Sequence, residues 1–297
     1  MRQLVSLTGT ARAKTSGMTS IGMKSLTAVL ALPLLVLTGC PRDKEDPLTL
    51  GEARSALEQA SDAGQAEGLT SASVDISTNF TIGQAVKDGA AELKTFIGTQ
   101  LPCAEITLQD ATLTVVYGAN PGNCSYHGHT FSGTHSISID RNEDAKVEVH
   151  HEWTDFSNGV VSLDGTADVT WNLTDKTRRV VHESHWTHLK SGRTGTGTGD
   201  RLQSLLPGGL AEGIQVDGNR TWDGDKGHWD LGIDGVQMRW TDPVPQAGSY
   251  TLTTPFDKTV SMAFSRVDDD TIKVTVTGPK HEFSFTVSKA AEIVATN

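Results

Sequence analysis

From Cys103 almost to the end of the chain, short runs of alternating apolar and polar residues follow one another, separated by turn signals. Alternation at period two marks a strand with one buried face. Ile272, Val274 and Val276 form one such run and Phe283, Phe285 and Val287 the next, with Gly278-Pro279-Lys280 between them. Asn158-Gly159 is a strong short hairpin signal. Asp223 to Gly227, Asp234-Gly235 and Asp268 to Asp270 punctuate the chain in the same way. Further strand patterns cover 106–117, 126–139, 146–156, 160–173 and 179–189. Strands joined by short turns pair as antiparallel neighbours. The expected fold is therefore mainly β, an antiparallel up-and-down meander of about a dozen strands over 103–290. A meander that long must curl into a barrel, a half-barrel or a two-layer sheet. The stretch 190–213 reads as a flexible break where the domain sub-divides, because Thr194 to Gly199 alternates threonine and glycine. That run lacks the lysine and the strand–loop–helix frame of a phosphate-binding loop.

The segment 49–102 has a different period. Leu50, Ala53, Ala56, Leu57 and Ala60 recur at helical spacing, and Gly64 and Gly68 mark the end of that helix. A short strand is expected over 72–76 and a second helix over 82–97, stopped by Gly98 and Pro102. The two helices would pack on the meander or cap one of its ends.

Ahead of the helices, Leu26 to Leu37 is apolar, and the only charges before it are Arg2, Arg12, Lys14 and Lys24. A bilayer span needs about 20 apolar residues. This stretch is shorter and contains Pro33, and it is followed by the small residues Thr38 and Gly39. Such a build is that of a secretory signal peptide, residues 1–39, with Met18 or Met23 as alternative starts. Leu37-Thr38-Gly39-Cys40 resembles the lipobox of bacterial lipoproteins. The resemblance implies that Cys40 carries several acyl chains and becomes the first residue of the mature chain. Residues 40–48, charged and flanked by Pro41 and Pro47, would then tether the fold to the membrane. Sorting signals of related lipoproteins are read just after the cysteine. Pro41 is not the aspartate associated with inner-membrane retention, so the outer membrane is expected.

The chain carries 25 basic and 36 acidic residues. Removing residues 1–39 takes away four basic residues and no acidic one, leaving 21 against 36, a net charge of −15. A body so acidic is not expected to bind nucleic acid, whose phosphates require a basic patch. Beyond Cys40 only Cys103 and Cys124 remain. An even count in an oxidising compartment points to a disulfide between them.

One constellation has the residue types of a chemical site. With a two-residue turn at Asp175-Lys176 and a bulge at Asp164-Gly165, three strands align Val147, Val149, Trp153, Val169, Trp171, Val180 and Trp186 on one apolar face. The opposite face then carries the rows His150–Asp168–Glu183 and Glu152–Thr166–His185. His, Asp and Glu are ligands for a Zn²⁺-type ion, and a divalent metal is the one cofactor this pattern suggests. The alternative is an ordinary solvated face. His151 and His182 fall on the inward face, where buried neutral imidazoles are expected, and His127 and His129 share a strand face nearby. Trp222, Trp229 and Trp240 form either an aromatic ligand platform or part of the core. No Gly-x-Ser-x-Gly nucleophile elbow is present.

Three functions compete on these grounds. The first is a non-enzymatic envelope lipoprotein, a structural or interaction module with an envelope protein as partner. The second is a carrier whose curved sheet encloses an apolar ligand, for which a dry cavity lined by tryptophans would speak and a filled core would not. The third is a metal-dependent hydrolase on the His150/Glu152/Asp168/Glu183/His185 face.

Overall fold

The computed structural model of the protein describes residues 46–81, 86–126, 128–141, 147–172, 175, 177–209, 212–239, 245–288 and 293–296. Two helices, α1 (Leu50–Thr81) and α2 (Val86–Gln100), come first. The strands that follow are β1 (Glu105–Gln109), β2 (Thr112–Tyr117), β3 (Ser125–Tyr126), β4 (His129–Thr130), β5 (Ser132–Arg141), β6 (Val147–Ser157), β7 (Val161–Asn172) and β8 (Thr177–His188). Then come β9 (Thr194–Leu205), β10 (Ile214–Gly224), β11 (Gly227–Met238), β12 (Ala247–Thr253), β13 (Thr259–Arg266), β14 (Thr271–Thr277), β15 (Glu282–Ser288) and β16 (Ile293–Thr296). Apart from the small β3–β4 hairpin, all strands belong to one 14-stranded sheet in chain order, with β1 and β16 as its edges. Every neighbouring pair is antiparallel. The sheet is the expected meander, curled but not closed.

The concave face of the sheet is occupied by α1. The helix opens with a reciprocal cap: the Glu52 amide donates to Thr49 Oγ1 (3.2 Å) and the Thr49 amide donates to Glu52 Oε2 (2.8 Å). From Gln59 to Ser77 no residue of α1 is exposed, and only Gly64, Gln65, Gly68 and Ser71 are half-buried. Those four trace the single stripe that the sheet leaves uncovered. The helix does not stop at Gly64, and 72–76 is helical rather than a strand. A glycine costs a helix about 1 kcal/mol relative to alanine. The packing of Leu69, Ala72, Val74 and Ile76, all buried, outweighs that cost. The second helix begins at Val86, while residues 82–85 lie outside the described ones.

Two other expectations change in detail. The run 106–117 is two strands, folded at Asp110, whose φ is 54°. The run 126–139 is likewise divided between the β3–β4 hairpin and β5. The sheet also continues within 190–213 as β9, which pairs with β8 on one side and β10 on the other. Its glycines are sites of close approach rather than of flexibility. A Cβ at Gly195 would lie 2.4 Å from the Trp186 ring, at Gly197 2.2 Å from the Thr221 carbonyl oxygen, and at Gly199 2.3 Å from the His182 ring. Large side chains from β8 and β10 lie over the bare backbone of β9.

Around β6–β8 the register can be checked residue by residue. Val147 faces Trp171, Val149 faces Val169, and Trp153 faces Gly165, as expected. The irregularity lies between Trp153 and Phe156 on β6, where Asp155 has φ 49°, and not at Asp164-Gly165. The β7–β8 connection is longer than the expected two residues, because Asn172 pairs with Thr177. Asn172 and Asp175 bond across it (Nδ2 to Oδ2, 2.6 Å). The pairing therefore slips by two residues, and Ala167 faces His182 while Leu163 faces Trp186. A slip of two preserves the faces. Val147, Val149, Trp153, Val169, Val180 and Trp186 are all buried, and Trp171 is half-buried under the Arg178 guanidinium, 5.7 Å away.

Candidate functional site

The concave face meets α1 through charge as well as apolar contact. Each acidic residue of α1 finds a cation from the sheet or its turns. Glu52 accepts from Lys258 Nζ at 2.7 Å, Glu58 and Asp62 pair with Arg193, Glu67 with Arg201 and Arg220, and Asp75 with Arg178. The Lys258 hydrogen bond holds the Glu52 carboxyl below the usual carboxylate range. Arg220 Nη1 also donates to the Ala63 carbonyl (3.2 Å), and Arg178 Nε donates to Gln203. Buried hydroxyls of α1 close onto their own helix: Thr70 donates to the Glu67 carbonyl, Ser73 to Thr70 and Ser77 to Val74. Ser73 Oγ additionally accepts from Trp153 Nε1 at 3.0 Å.

At the centre of this interface one carboxylate faces two guanidiniums. The side chains of Glu67, Arg201 and Arg220 are 6 %, 2 % and 4 % exposed. Burial, with Arg220 beside it, lowers the Arg201 pKa to about 9. Burial and the Arg220 charge lower His182 to about 4. A void of ≈ 20 Å³ beside Glu67, His182, Arg220 and Trp222 has room for about one water molecule. Glu67 Oε2, Arg220 Nε and Nη2, and Trp222 Nε1 are without a hydrogen-bond partner among the described residues. Farther along the sheet, Tyr117 Oη, His135 and His151 form a buried chain, with contacts of 3.3 Å and 2.9 Å. Burial lowers His135 to about 3 and takes His151 well below its ordinary value, helped by the charges of His135, His150 and Arg178. Burial thus favours the neutral form of His135, His151 and His182, as expected for the last two. His135 meets Tyr117 and His151, and His182 meets Arg201 and Glu67.

The outward histidines and carboxylates lie on the solvent face. His150 Nδ1 lies 2.7 Å from Asp168, with both side chains largely exposed. Because of the two-residue slip, Glu183 faces Thr166 and not Asp168, and His185 faces Asp164 and not Thr166. His185 Nδ1 instead bonds Thr196 Oγ1 at 2.8 Å. Glu152 also faces Thr166, so Glu152 and Glu183 flank one threonine. The like-charge pair Asp168/Glu183 that would have called for a cation does not form. Among the described residues no group of three His, Cys, Asp or Glu side chains is arranged to hold a metal ion.

Trp222 and Trp229 form a cross-strand stack, 6.0 Å between ring centroids, 2 % and 0 % exposed. Phe256 meets Trp229 edge-on. They are core, while Trp240, Cys40 and His127 lie outside the described residues. His129 stacks on Phe131. Cys103 and Cys124 are bonded, with Cα atoms 5.4 Å apart. By the chain-entropy model that loop contributes about 3 kcal/mol.

A second, open feature lies at the end of the sheet where α1 begins. A cleft of ≈ 510 Å³ is bounded by Arg54, Glu58 and Asp62 of α1, by Val160 of the β6–β7 turn, and by Lys190 and Arg193 of the β8–β9 turn. Arg54 Nη2 reaches across to the Ile293 carbonyl of the edge strand (3.2 Å). Sequence reasoning missed both the buried ion pairs and this cleft. A signal for the pairs was present. Arg178, Arg201 and Arg220 each stand two residues from an inward-facing Val180, Gln203 or Trp222, which places them inside. Compared with known protein families, curated proteins and solved structures, the chain finds no match.

Proposed function

We propose that the chain is a lipid-anchored protein of the bacterial cell envelope whose β domain serves as a structural or interaction module rather than as an enzyme or carrier. The anchor rests on Leu37-Thr38-Gly39-Cys40 behind a short apolar stretch, and Pro41 favours the outer membrane. The observation that carries the module reading is α1. It occupies the concave face, the place where a carrier of this architecture would hold an apolar ligand, and it is tied there by five acidic residues. Trp222 and Trp229 support the same reading, being stacked in the core.

The test expresses the full chain in a bacterial host and compares it with Cys40→Ser. Mass spectrometry of the N-terminal peptide is expected to find an acylated Cys40, with the protein in the membrane fraction and the variant lost from it. An N-terminal peptide without lipid, in a protein that fractionates as soluble, would overturn the anchor. Solvent extraction of the purified protein separates module from carrier. A co-purifying apolar molecule at one per chain, beyond the Cys40 lipid, would replace the module reading with the carrier.

A further inference from the structure

In a meander alternate turns lie at the same end of the sheet, so the β6–β7, β8–β9, β10–β11, β12–β13 and β14–β15 turns share one end. The chain enters α1 at that end, where the Leu48 amide bonds the Pro279 carbonyl (2.9 Å) of the β14–β15 turn. Seven residues separate Leu48 from Cys40, and the eight steps between them span at most about 29 Å. From Leu48 to Asp62, the partner of Arg193, α1 advances about 21 Å. The β8–β9 turn and any lipid on Cys40 therefore lie within reach of one flat surface.

Large apolar residues stand in solvent at both ends, with Leu205 (41 %) and Val267 (60 %) at the far one and an adjoining pair at this one. Val160 (44 % exposed) and Leu189 (50 %) occupy adjacent turns, joined by the bond from the Leu189 amide to the Val160 carbonyl (2.8 Å), and Leu50 (48 %) opens α1. Behind Val160 lies the ≈ 510 Å³ cleft, with Arg54, Lys190 and Arg193 set against Glu58 and Asp62. Inside that cleft Arg54 pairs with Glu58, and Arg193 with Glu58 and Asp62, while Lys190 stands exposed at its rim. On the turns of this end Lys190, Arg193, Lys226, Lys258 and Lys280 outnumber Asp225 and Asp257, which suits the phosphates of a bilayer surface.

We infer that this end of the domain docks on the bilayer, with Val160 and Leu189 entering the headgroup–acyl boundary and the lysines of the turns meeting the lipid phosphates. The inference rests on the lipid anchor proposed above. It makes the anchor one of two attachments and fixes the orientation of the domain, with the opposite end of the sheet turned away from the membrane.

The experiment uses the full lipidated chain in phosphatidylcholine vesicles, spin-labelled in turn at Val160→Cys, Leu189→Cys and Leu202→Cys. Cys103 and Cys124 are bonded to each other, so with Cys40 acylated the introduced thiol is the one that labels. All three positions are exposed, and Leu202 lies mid-strand on the convex face. The labels at 160 and 189 are expected to show a several-fold higher oxygen-to-nickel accessibility ratio than the label at 202. Equal, aqueous ratios at all three positions on protein with a confirmed Cys40 lipid would overturn the docking inference alone. A Cys40 without lipid would remove the anchor and this inference together.

Discussion

Glu67→Gln takes away the one carboxylate set between Arg201 and Arg220 while keeping the shape of the side chain. Both guanidiniums then remain in a place where their side chains are 2 % and 4 % exposed, without a counter-charge. Breaking a buried pair by removing one partner costs about 3–5 kcal/mol. For a chain of this size about 1 kcal/mol moves the midpoint of thermal unfolding by 2–4 °C, so Glu67→Gln is expected to melt about 6–20 °C lower. Glu58→Gln is the matched control. That side chain is 30 % exposed and its Arg193 contact is 3.7 Å, so the loss there is at most about 1 kcal/mol. Urea denaturation followed by tryptophan fluorescence gives both numbers. Adding Arg201→Met to Glu67→Gln removes one stranded cation and is expected to restore part of the loss, which a packing defect at residue 67 would not allow. A Glu67→Gln variant as stable as Glu58→Gln would refute the buried-charge reasoning.

Stability is expected to fall between pH 6.5 and 5. His135 and His182 have folded-state pKa values of about 3 and about 4, and His151 is shifted the same way, so the unfolded chain binds more protons in this window. Each contributes stability that is present above pH 6.5 and lost as pH falls toward its folded value. At about 1.4 kcal/mol per histidine per pH unit, His135 and His182 alone remove about 4 kcal/mol by pH 5; urea midpoints that are flat over that range would contradict it. Gly64→Ala and Gly68→Ala should each stabilise by about 0.5–1 kcal/mol. A Cβ at either glycine meets nothing within 4 Å, and a lowered melting temperature would show that their place on α1 is misjudged. Gly197→Val should cost about 3 kcal/mol or more, because its Cβ would lie 2.2 Å from the Thr221 carbonyl oxygen; an unchanged urea midpoint would count against that close approach.

The sheet was legible because its signal is local. Alternation along Val147 to Trp153 and along Ile272 to Val276, closed by Asn158-Gly159 and Gly278-Pro279, needs no knowledge of the rest of the chain. What local signals could not convey was the length of α1. Gly64 and Gly68 are helix breakers by intrinsic preference, and only the enclosing sheet overrides them. The Thr194 to Gly199 run misled for the same reason, since glycine there answers to Trp186, Trp222 and His182 on other strands. At the outward face the parity was right, with His150 opposite Asp168. The next row failed on a single turn length, which shifted Glu183 and His185 by two residues. The buried cations lay within reach of the same parity argument, but their acidic partners sit on a helix whose second half the glycines concealed.

The occupancy of the concave face by α1 also sets an order of assembly. Each strand pairs with one made a few residues later, so hairpins can close early and quickly. The partners of α1 are remote: Lys258 is 206 residues from Glu52 and Ile293 is 239 from Arg54. The helix made before all of these strands is thus among the last elements to complete its contacts. Glu58, Asp62, Glu67 and Asp75 find their partners on β8–β10 and the β8–β9 turn, while Glu52 waits for Lys258 and Leu48 for the β14–β15 turn. Docking of the helix therefore begins midway along the chain and closes at its N-terminal turn only when the last strands are in place. A chain cut short in its last strands loses the seat of that turn.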